Sequence, residues 1–154
     1  MTALAEIAEP LLPPAFQGWF RHKGWTPHPH QLEMLQAARD GTHALLIAPT
    51  GGGKTLAGFL PTLTELAERP REGLHTLYIS PLKALAVDIH RNLEQPIAEM
   101  RLPIRAETRT GDTPQVKRER QRRHAPQILM TTPESLALLL SYGDADRIFG
   151  SLRC

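Results

Sequence analysis

Along most of the chain, short apolar runs alternate with stretches in which apolar residues recur every three or four positions. The short runs predict strands, and the periodic stretches predict amphipathic helices. Strands are predicted at residues 44–48, 77–79, 104–108 and 128–130. The first is apolar throughout, which is typical of a strand covered on both faces. Helices are predicted to follow the four strands, and strands that alternate with crossover helices indicate a mostly parallel sheet. The sequence therefore predicts an α/β fold.

The first 41 residues follow a different pattern and are rich in proline. A short helix is predicted at residues 15–22, ended by a glycine, and another at residues 31–39. Between them, residues 27–30 read Pro-His-Pro-His, and a residue that precedes proline disfavours the helical conformation. We interpret residues 1–41 as an N-terminal appendage and residues 42–154 as one α/β domain.

Composition restricts the class of protein only loosely. The chain has 154 residues, 41% of them hydrophobic, with 18 Lys and Arg against 16 Asp and Glu. Its single cysteine, Cys154, excludes an internal disulfide and fits a reducing compartment. No apolar run approaches the length of a membrane span, and the N-terminus lacks the features of a secretory signal. We therefore expect a cytoplasmic protein that does not contact a membrane.

Residues 48–55 read Ala-Pro-Thr-Gly-Gly-Gly-Lys-Thr and fit the phosphate-loop pattern, with Ala48 in place of the usual first glycine. Glycines let successive backbone N–H groups point at one anion, and the following helix adds its positive N-terminus. The alternative is an ordinary glycine-rich turn. Because the segment lies between a predicted strand and an amphipathic helix, we favour ATP binding. The predicted contacts are Thr50, Gly51, Gly52, Gly53, Lys54 on the β- and γ-phosphates, and Thr55, whose hydroxyl would bind Mg²⁺.

The order of motifs resembles that of the superfamily 2 DExH-box helicases of the large helicase-related (Lhr) type, from Phe16 to the end of the chain. In this family the phosphate loop commonly begins with alanine and contains Thr-Gly, as it does here. The resemblance implies a RecA-like P-loop NTPase fold, in which a parallel sheet is flanked by helices. It also implies an ATP-dependent helicase that hydrolyses ATP.

Gln31 matches the glutamine that reads adenine in the family's Q motif. A carboxamide donates and accepts at once, which suits the N6 and N7 edge of adenine. The alternative is an exposed residue in the first turn of a helix. The family also stacks an upstream aromatic on the base, and Phe16, Trp19 and Trp25 remain open candidates for this role.

Three further segments resemble motifs Ia, Ib and Ic, which contact the nucleic-acid backbone in this family. They are residues 80–86, 108–112 and 131–134, each at a predicted strand end. Ordinary strand-to-helix turns are the alternative, but ligands collect at this edge of a parallel sheet. For residues 131–134 the sequence predicts an N-cap threonine followed by proline at the first helical position. The predicted nucleic-acid contacts are Pro81, Lys83, Arg109, Thr110, Gly111, Thr132 and Pro133.

Three weaker features have simpler interpretations. Residues 117–124 are strongly basic, and we interpret them as an exposed helix whose charges face all round, with weak and non-specific attraction for a polyanion. His28 and His30 lack any cysteine nearby, so a zinc site is not predicted. Glu134 is interpreted as a residue of a capped helix rather than a Mg²⁺ ligand.

In the resembled family, Asp-Glu-x-His at the end of a later strand binds Mg²⁺ and activates water, and no apolar run of this chain ends that way. Residues 151–153 are interpreted as the lead-in to that strand. We therefore expect the whole protein to be a DNA helicase whose second RecA-like domain completes the site. The 154 residues alone are expected not to hydrolyse ATP. An RNA helicase, or a non-catalytic module that binds ATP or nucleic acid, remains an alternative. The resemblance also implies 3′-to-5′ movement and a role in DNA repair.

Overall fold

The computed structural model describes residues 11–154. The first ten residues, which the sequence assigns to the appendage without a secretory signal, lie outside the described range. The described chain forms two compact units. The helical unit comprises residues 11–69 and Ala98–Leu102, and the sheet unit comprises Pro70–Ile97 and Pro103–Cys154.

Three helices make up most of the helical unit. They are α1 (Pro14–Lys23), α2 (Pro29–Arg39) and α3 (Lys54–Glu68). Helix α1 ends as predicted, because Gly24 takes a left-handed conformation (φ 68°) and its N–H bonds the carbonyls of the last turn. Helices α2 and α3 pack against each other. The side chains of Leu35, Leu60 and Leu63 are almost fully buried.

Helix α2 begins two residues earlier than the sequence predicts. His28 is extended, as expected of a residue before proline, but Pro29 takes the first helical position and His30 follows inside the helix. Proline is well suited to this position, since its missing N–H would have no helical partner there. The prediction that residues 27–30 are all extended is therefore wrong for the second half of that segment.

The sheet unit contains a three-stranded parallel sheet with strand order β1-β3-β2. The strands are β1 (Thr76–Ile79), β2 (Ala106–Arg109) and β3 (Ile128–Thr131). The helices that accompany them are α4 (Lys83–Glu99), α5 (Gln115–Arg123), α6 (Pro133–Leu140) and α7 (Ala145–Phe149). The predicted helix-flanked parallel sheet is confirmed. Among the described residues, no helix is both long and apolar enough to cross a membrane.

Strand β3 is the central strand, and every one of its residues is buried. Its side chains contribute to a core in which Leu74, Leu129, Leu139 and Ile148 pack together. The short helix α7 was not predicted, because five residues are too few to show a repeat of apolar positions at helical spacing. A central strand covered on both faces explains why the run at 128–130 is apolar throughout.

The predicted strand at residues 44–48 is not formed. Those residues have no regular secondary structure, and the side chains of Leu45 and Ile47 are each 86% exposed. A strand exists only where a neighbouring strand accepts and donates its backbone hydrogen bonds. Residues 44–48 pair with none of the three strands in the described part of the chain.

The last residues of the chain lie along the free edge of β1. The Arg153 N–H donates to the carbonyl of His75 (2.9 Å), and the Leu77 N–H donates to the carbonyl of Cys154 (2.8 Å). This alternation is the hydrogen-bond pattern of a parallel pair. It agrees with the interpretation that residues 151–153 lead into a strand.

Candidate functional site

The phosphate loop, residues 48–55, is built on a tight turn. The Gly52 N–H donates to the carbonyl of Pro49 (3.1 Å), and Gly51 has a φ of 80°. A positive φ at the third residue of a turn marks type II geometry, which glycine adopts without steric cost. A Cβ on Gly52 would lie 3.0 Å from the Pro49 carbonyl oxygen. The glycines are therefore required by the curl of the main chain.

Gly53 joins this turn to helix α3. It has a left-handed conformation (φ 68°, ψ 25°), and the helix begins at the next residue, Lys54. A Cβ at Gly53 would lie 2.7 Å from Nε2 of Gln31. A larger residue here would have to displace the Gln31 carboxamide, and the N-terminal amides of α3 open directly onto the loop. Such a curled main chain before a helix start fits the anion cradle that a triphosphate needs.

The ammonium of Lys54 folds back onto the loop. Its Nζ donates to the carbonyl oxygens of Ala48 (2.7 Å) and Pro49 (2.6 Å). Lys54 is exposed, and Thr55 next to it is half-buried. Because two neutral carbonyls bind an ammonium less strongly than phosphate oxygens do, an incoming triphosphate would displace these bonds.

Gln31 is buried, with 3% of its surface exposed. Its Oε1 accepts from the His28 N–H (2.8 Å), and its Nε2 donates to the Gly53 carbonyl (3.3 Å). The alternative interpretation, an exposed first-turn residue, is therefore wrong. The structure places Gln31 against the phosphate loop, where both ends of its carboxamide are engaged. Its contact with adenine stays a prediction.

His30 also contacts the phosphate loop, and sequence reasoning missed this role. Its Nε2 lies 2.7 Å from the carbonyl oxygen of Gly52. The ring stacks on that of His28, with centroids 5.2 Å apart and planes 9° from parallel. Alternation of proline and histidine indicated only an extended segment, and no local pattern predicts a contact to a residue 22 positions later.

The three candidate aromatics differ sharply in exposure. Phe16 is fully buried and Trp19 is 7% exposed, whereas Trp25 is 53% exposed. The indole N–H of Trp19 donates to Oε2 of Glu99 (2.6 Å), which fixes that ring within the helical unit. Of the three, Trp25 alone presents a ring to solvent.

In the sheet unit, the three segments that resemble nucleic-acid motifs lie at one edge. The parallel register sets Ile79 and Arg109 level with Thr131, so the loops after all three strands begin together. This arrangement follows from the parallel pairing of the strands, and it places the loops where ligands bind in open α/β sheets.

The exposed part of this edge is formed by Lys83 and the loop at Gly111. The Lys83 ammonium pairs with both carboxylate oxygens of Asp112, at 3.1 Å each. A Cβ on Gly111 would lie 3.3 Å from Nζ of Lys83, so glycine allows this close approach. Lys83 and Gly111 are both exposed, and their contact with phosphate stays a prediction. Pro81 is exposed as well.

Arg109 is not placed for the phosphate contact that the sequence predicts. It is 2% exposed, and its Nη1 donates to the Arg118 carbonyl (3.0 Å) and to Oε1 of Gln121 (3.5 Å). Burial lowers the pKa of the Arg109 guanidinium, and the nearby Tyr142 opposes part of that effect. Because the side chain turns inward to helix α5, it ties β2 to that helix and does not face solvent.

Thr110 and Thr132 are likewise occupied within the protein. Thr110 is 7% exposed and its hydroxyl accepts from the Asp112 N–H (3.3 Å). Thr132 is 3% exposed and caps α6, accepting from the Ser135 N–H (3.4 Å), with Pro133 exposed at the first helical position. The predicted cap is confirmed. The two hydroxyls shape the loops, so phosphate contact here would fall to backbone N–H groups.

The basic helix α5 has an inward-facing side that the sequence did not indicate. Gln121 is buried, and its Nε2 donates to the Thr108 carbonyl (3.1 Å). Arg118 donates to the carbonyls of Thr110 (3.1 Å) and Gly111 (2.6 Å). The prediction of a helix exposed all round is therefore wrong, since polar rather than apolar side chains attach it to β2 and the following loop.

Comparisons with known proteins agree with this geometry. The family model described as DEAD/DEAH box helicase matches residues 28–154. A protein named Lhr helicase/probable uracil glycosylase from Mycolicibacterium smegmatis is 44% identical over 136 residues, which are 80% of this chain and 9% of that protein. An ATP-dependent helicase Lhr-Core protein 2 from Thermococcus barophilus is 41% identical over 88% of this chain and 17% of its own length.

Solved structures give the same result. The structure of Mycobacterium smegmatis helicase Lhr bound to ssDNA and AMP-PNP superimposes with a TM-score of 0.84 and 39% identity, covering 92% of this chain and 19% of that one. The DUF1998 helicase MrfA bound to DNA and AMPPNP superimposes with a TM-score of 0.81 and 29% identity, over 93% of this chain and 20% of that one. The chain thus spans less than a fifth of the two named sequence relatives, at 9% and 17% of their lengths. With a helicase-type RecA-like fold and the resemblance to Lhr helicases confirmed, the chain belongs to the DEAD/DEAH box helicase family.

Proposed function

We propose that this chain is the ATP-binding and nucleic-acid-binding part of an ATP-dependent DNA helicase of the Lhr type. The observation that carries the proposal is the phosphate loop: a type II turn and a left-handed Gly53 lead directly into helix α3. The similarity to Lhr helicases supports it, since one of them is known bound to both ssDNA and AMP-PNP.

Within the loop, each residue has a distinct task toward Mg-ATP. The amides of Gly51 and Gly53, with those that open α3, would donate to the phosphate oxygens, while the Gly52 N–H closes the turn onto Pro49. Lys54 leaves the carbonyls of Ala48 and Pro49 and binds the β- and γ-phosphates. The Thr55 hydroxyl is proposed as a ligand of Mg²⁺, which would neutralise part of the phosphate charge.

Adenine recognition is assigned to Trp25 and Gln31. The exposed ring of Trp25 is available for stacking, whereas Phe16 and Trp19 are buried. Gln31 would read the base edge by exchanging its bond to the Gly53 carbonyl or to the His28 N–H for one to adenine. Gln31 would thereby contribute both to recognition of the base and to the geometry of the phosphate loop.

The assignment of Trp25 predicts a fluorescence response. Titration of the chain with Mg-ATP is expected to change tryptophan emission, and Trp25→Leu should weaken Mg-ATP binding about tenfold, because a stacked base contributes about 1–3 kcal/mol. Trp19→Phe serves as the control, since it leaves Trp25 as the remaining tryptophan. The full nucleotide-dependent change should persist in Trp19→Phe. If the change persists instead in Trp25→Leu, another aromatic stacks on the base.

Nucleic-acid binding is assigned to the loop edge of the sheet unit. Lys83, Gly111 and the exposed Pro81 form the accessible part, and Thr132 and Pro133 open helix α6 beside them. Asp112 holds the Lys83 ammonium in place and would compete with a phosphate for it. This edge contacts phosphates rather than bases, so it would bind without strong sequence preference.

Changes at Lys83 and Asp112 are expected to act in opposite directions on single-stranded DNA. Lys83→Ala should weaken binding and reduce the dependence of log K on log salt by about 0.7, because one phosphate contact is lost. Asp112→Asn should strengthen binding by releasing the ammonium. Fluorescence anisotropy at several salt concentrations measures both. Lys117→Ala, which removes the same charge from α5, is the control and should have a smaller effect. Equal effects of Lys83→Ala and Lys117→Ala would contradict this assignment.

DNA is preferred over RNA because a helicase that is 39% identical to this chain is known bound to ssDNA. The accessible edge contacts backbone groups, so parallel titrations with DNA and RNA strands of one sequence test the preference. The proposal extends to a second RecA-like domain in the whole protein, and to 3′-to-5′ movement and a role in DNA repair, which the family likeness implies. A cytoplasmic location is proposed separately, because the single cysteine fits a reducing compartment.

A further inference from the structure

We propose that His30 is a positioning residue for the phosphate loop: its Nε2–H holds the Gly52 carbonyl and so aims the Gly53 amide at the bound phosphates. The inference rests on the proposed function of the loop, and it adds a residue that the phosphate-loop pattern does not contain. All of its contacts lie within the helical unit.

The first step is the direction of the hydrogen bond. Nε2 of His30 and the carbonyl oxygen of Gly52 are 2.7 Å apart. A carbonyl oxygen only accepts, so the imidazole Nε2 must carry the proton and donate. The ring is half-buried and stacks on His28, whose plane lies 9° from its own. Stacking restricts rotation of the ring and keeps Nε2 directed at the loop.

The second step is the geometry of the peptide bond. The Gly52 carbonyl and the Gly53 N–H belong to one planar unit, and no peptide bond in the described chain is cis. In a trans peptide these two groups point in opposite directions. When His30 holds the carbonyl on its own side, the Gly53 N–H must face the opposite side. Glycine residues on either side of this peptide leave it free to rotate, so an external hydrogen bond is needed to fix it.

The third step is the matching contact made by the neighbouring residue. Nε2 of Gln31 donates to the carbonyl of Gly53 at 3.3 Å. The Gly53 carbonyl also accepts the first helical bond of α3, from the Ala57 N–H (3.0 Å), so helix α3 and Gln31 together orient this peptide. His30 and Gln31, consecutive residues in the first turn of α2, thus hold two consecutive peptide planes of the loop. The shorter of the two contacts belongs to His30.

Pre-orientation of the Gly53 amide would strengthen binding of any ligand whose phosphates occupy the loop, because the bound geometry is then already formed before the ligand arrives. Removal of the donor should therefore weaken Mg-ADP and Mg-ATP alike. One neutral hydrogen bond of this kind corresponds to about a 3- to 10-fold change in Kd. A different side chain that places an N–H donor at the same position should restore nucleotide binding, even if it contains no ring.

The test is calorimetry of Mg-ADP and Mg-ATP binding to the purified chain and three variants. His30→Leu, which keeps the bulk without the donor, should raise both Kd values about 3- to 10-fold. His30→Gln places an amide N–H near the position of Nε2 and should stay within about twofold of wild type. His22→Leu removes an exposed histidine of α1 and should leave both constants unchanged.

The outcomes separate this inference from the function on which it rests. If wild type binds no nucleotide, the proposed function fails. If wild type binds and His30→Leu binds equally well, or His30→Gln is as weak as His30→Leu, the positioning role is overturned. Should His30→Leu not fold, His30→Asn gives the same test, because its shorter amide does not reach Gly52.

In ¹H–¹⁵N spectra of the ligand-free chain, His30→Leu should shift the Gly53 amide resonance and His30→Gln should shift it less. An unmoved Gly53 resonance in His30→Leu would also overturn the role.

Discussion

Mg-ATP binding is expected to fall at least about 100-fold in Lys54→Ala. The lysine is assigned to two phosphate groups, and each charge-assisted hydrogen bond contributes about 1.5–3 kcal/mol. Calorimetry on the purified chain measures the loss directly. The fold should be little affected, because the ligand-free bonds of Lys54 to Ala48 and Pro49 are made by an exposed side chain.

Two controls sharpen this result. Thermal unfolding of ligand-free Lys54→Ala should match wild type within a few degrees, and Lys117→Ala, which removes the same charge from α5, should bind Mg-ATP normally. Wild-type affinity in Lys54→Ala would contradict the assignment of the loop.

The 154 residues contain no Asp-Glu-x-His, so the bound ATP should not be hydrolysed in response to DNA. Measurable DNA-stimulated phosphate release would show that interpretation to be wrong.

Gly53→Ala is expected to lower both stability and nucleotide affinity. The new Cβ would lie 2.7 Å from Nε2 of Gln31, and the backbone at this position is left-handed (φ 68°). Such a conformation costs a non-glycine residue about 1–2 kcal/mol, before the displacement of Gln31 is counted. Urea denaturation should therefore show a loss of about that size or more, and calorimetry should show weaker Mg-ATP binding as the loop changes shape.

Gly58→Ala is the matched control for this substitution. Gly58 is an exposed residue within α3, where a Cβ would meet nothing within 4 Å. Alanine should stabilise the helix there by about 0.5–1 kcal/mol and leave Mg-ATP binding unchanged. The two glycine substitutions should thus have opposite signs on the free energy of unfolding. The same sign for both would contradict the argument from backbone conformation.

The phosphate loop is a feature that neighbouring residues in the sequence were sufficient to predict. Glycines at 51 and 53 adopt positive φ angles, and a helix begins at Lys54 as the motif requires. At the other end of the chain, the predicted cap at Thr132 and the proline that follows it both open helix α6. These features depend on residues within a few positions of one another, and for that reason they could be read from the sequence.

Prediction from neighbouring residues was wrong for Arg109 and for the segment at residues 44–48. Arginine after a strand, in a family-like motif, predicted a phosphate contact, yet Arg109 is 2% exposed against α5. The apolar run predicted a buried strand, yet Leu45 is 86% exposed. In both cases the type of residue was compatible with two environments. Which environment is realised depends on a partner elsewhere in the chain.

The sequence by itself determined the backbone conformations that residue types impose: the curled glycines of the phosphate loop, the proline-started helix α6, and the parallel direction of the strands that alternate with helices. Only the tertiary structure decided which side chains meet. Gln31 and His30 bond Gly53 and Gly52 across 22 positions in each case, and Trp25 rather than Phe16 presents its ring to solvent. The physical reason is that φ and ψ preferences are local, whereas burial and hydrogen-bond pairing depend on segments that become neighbours when the chain folds.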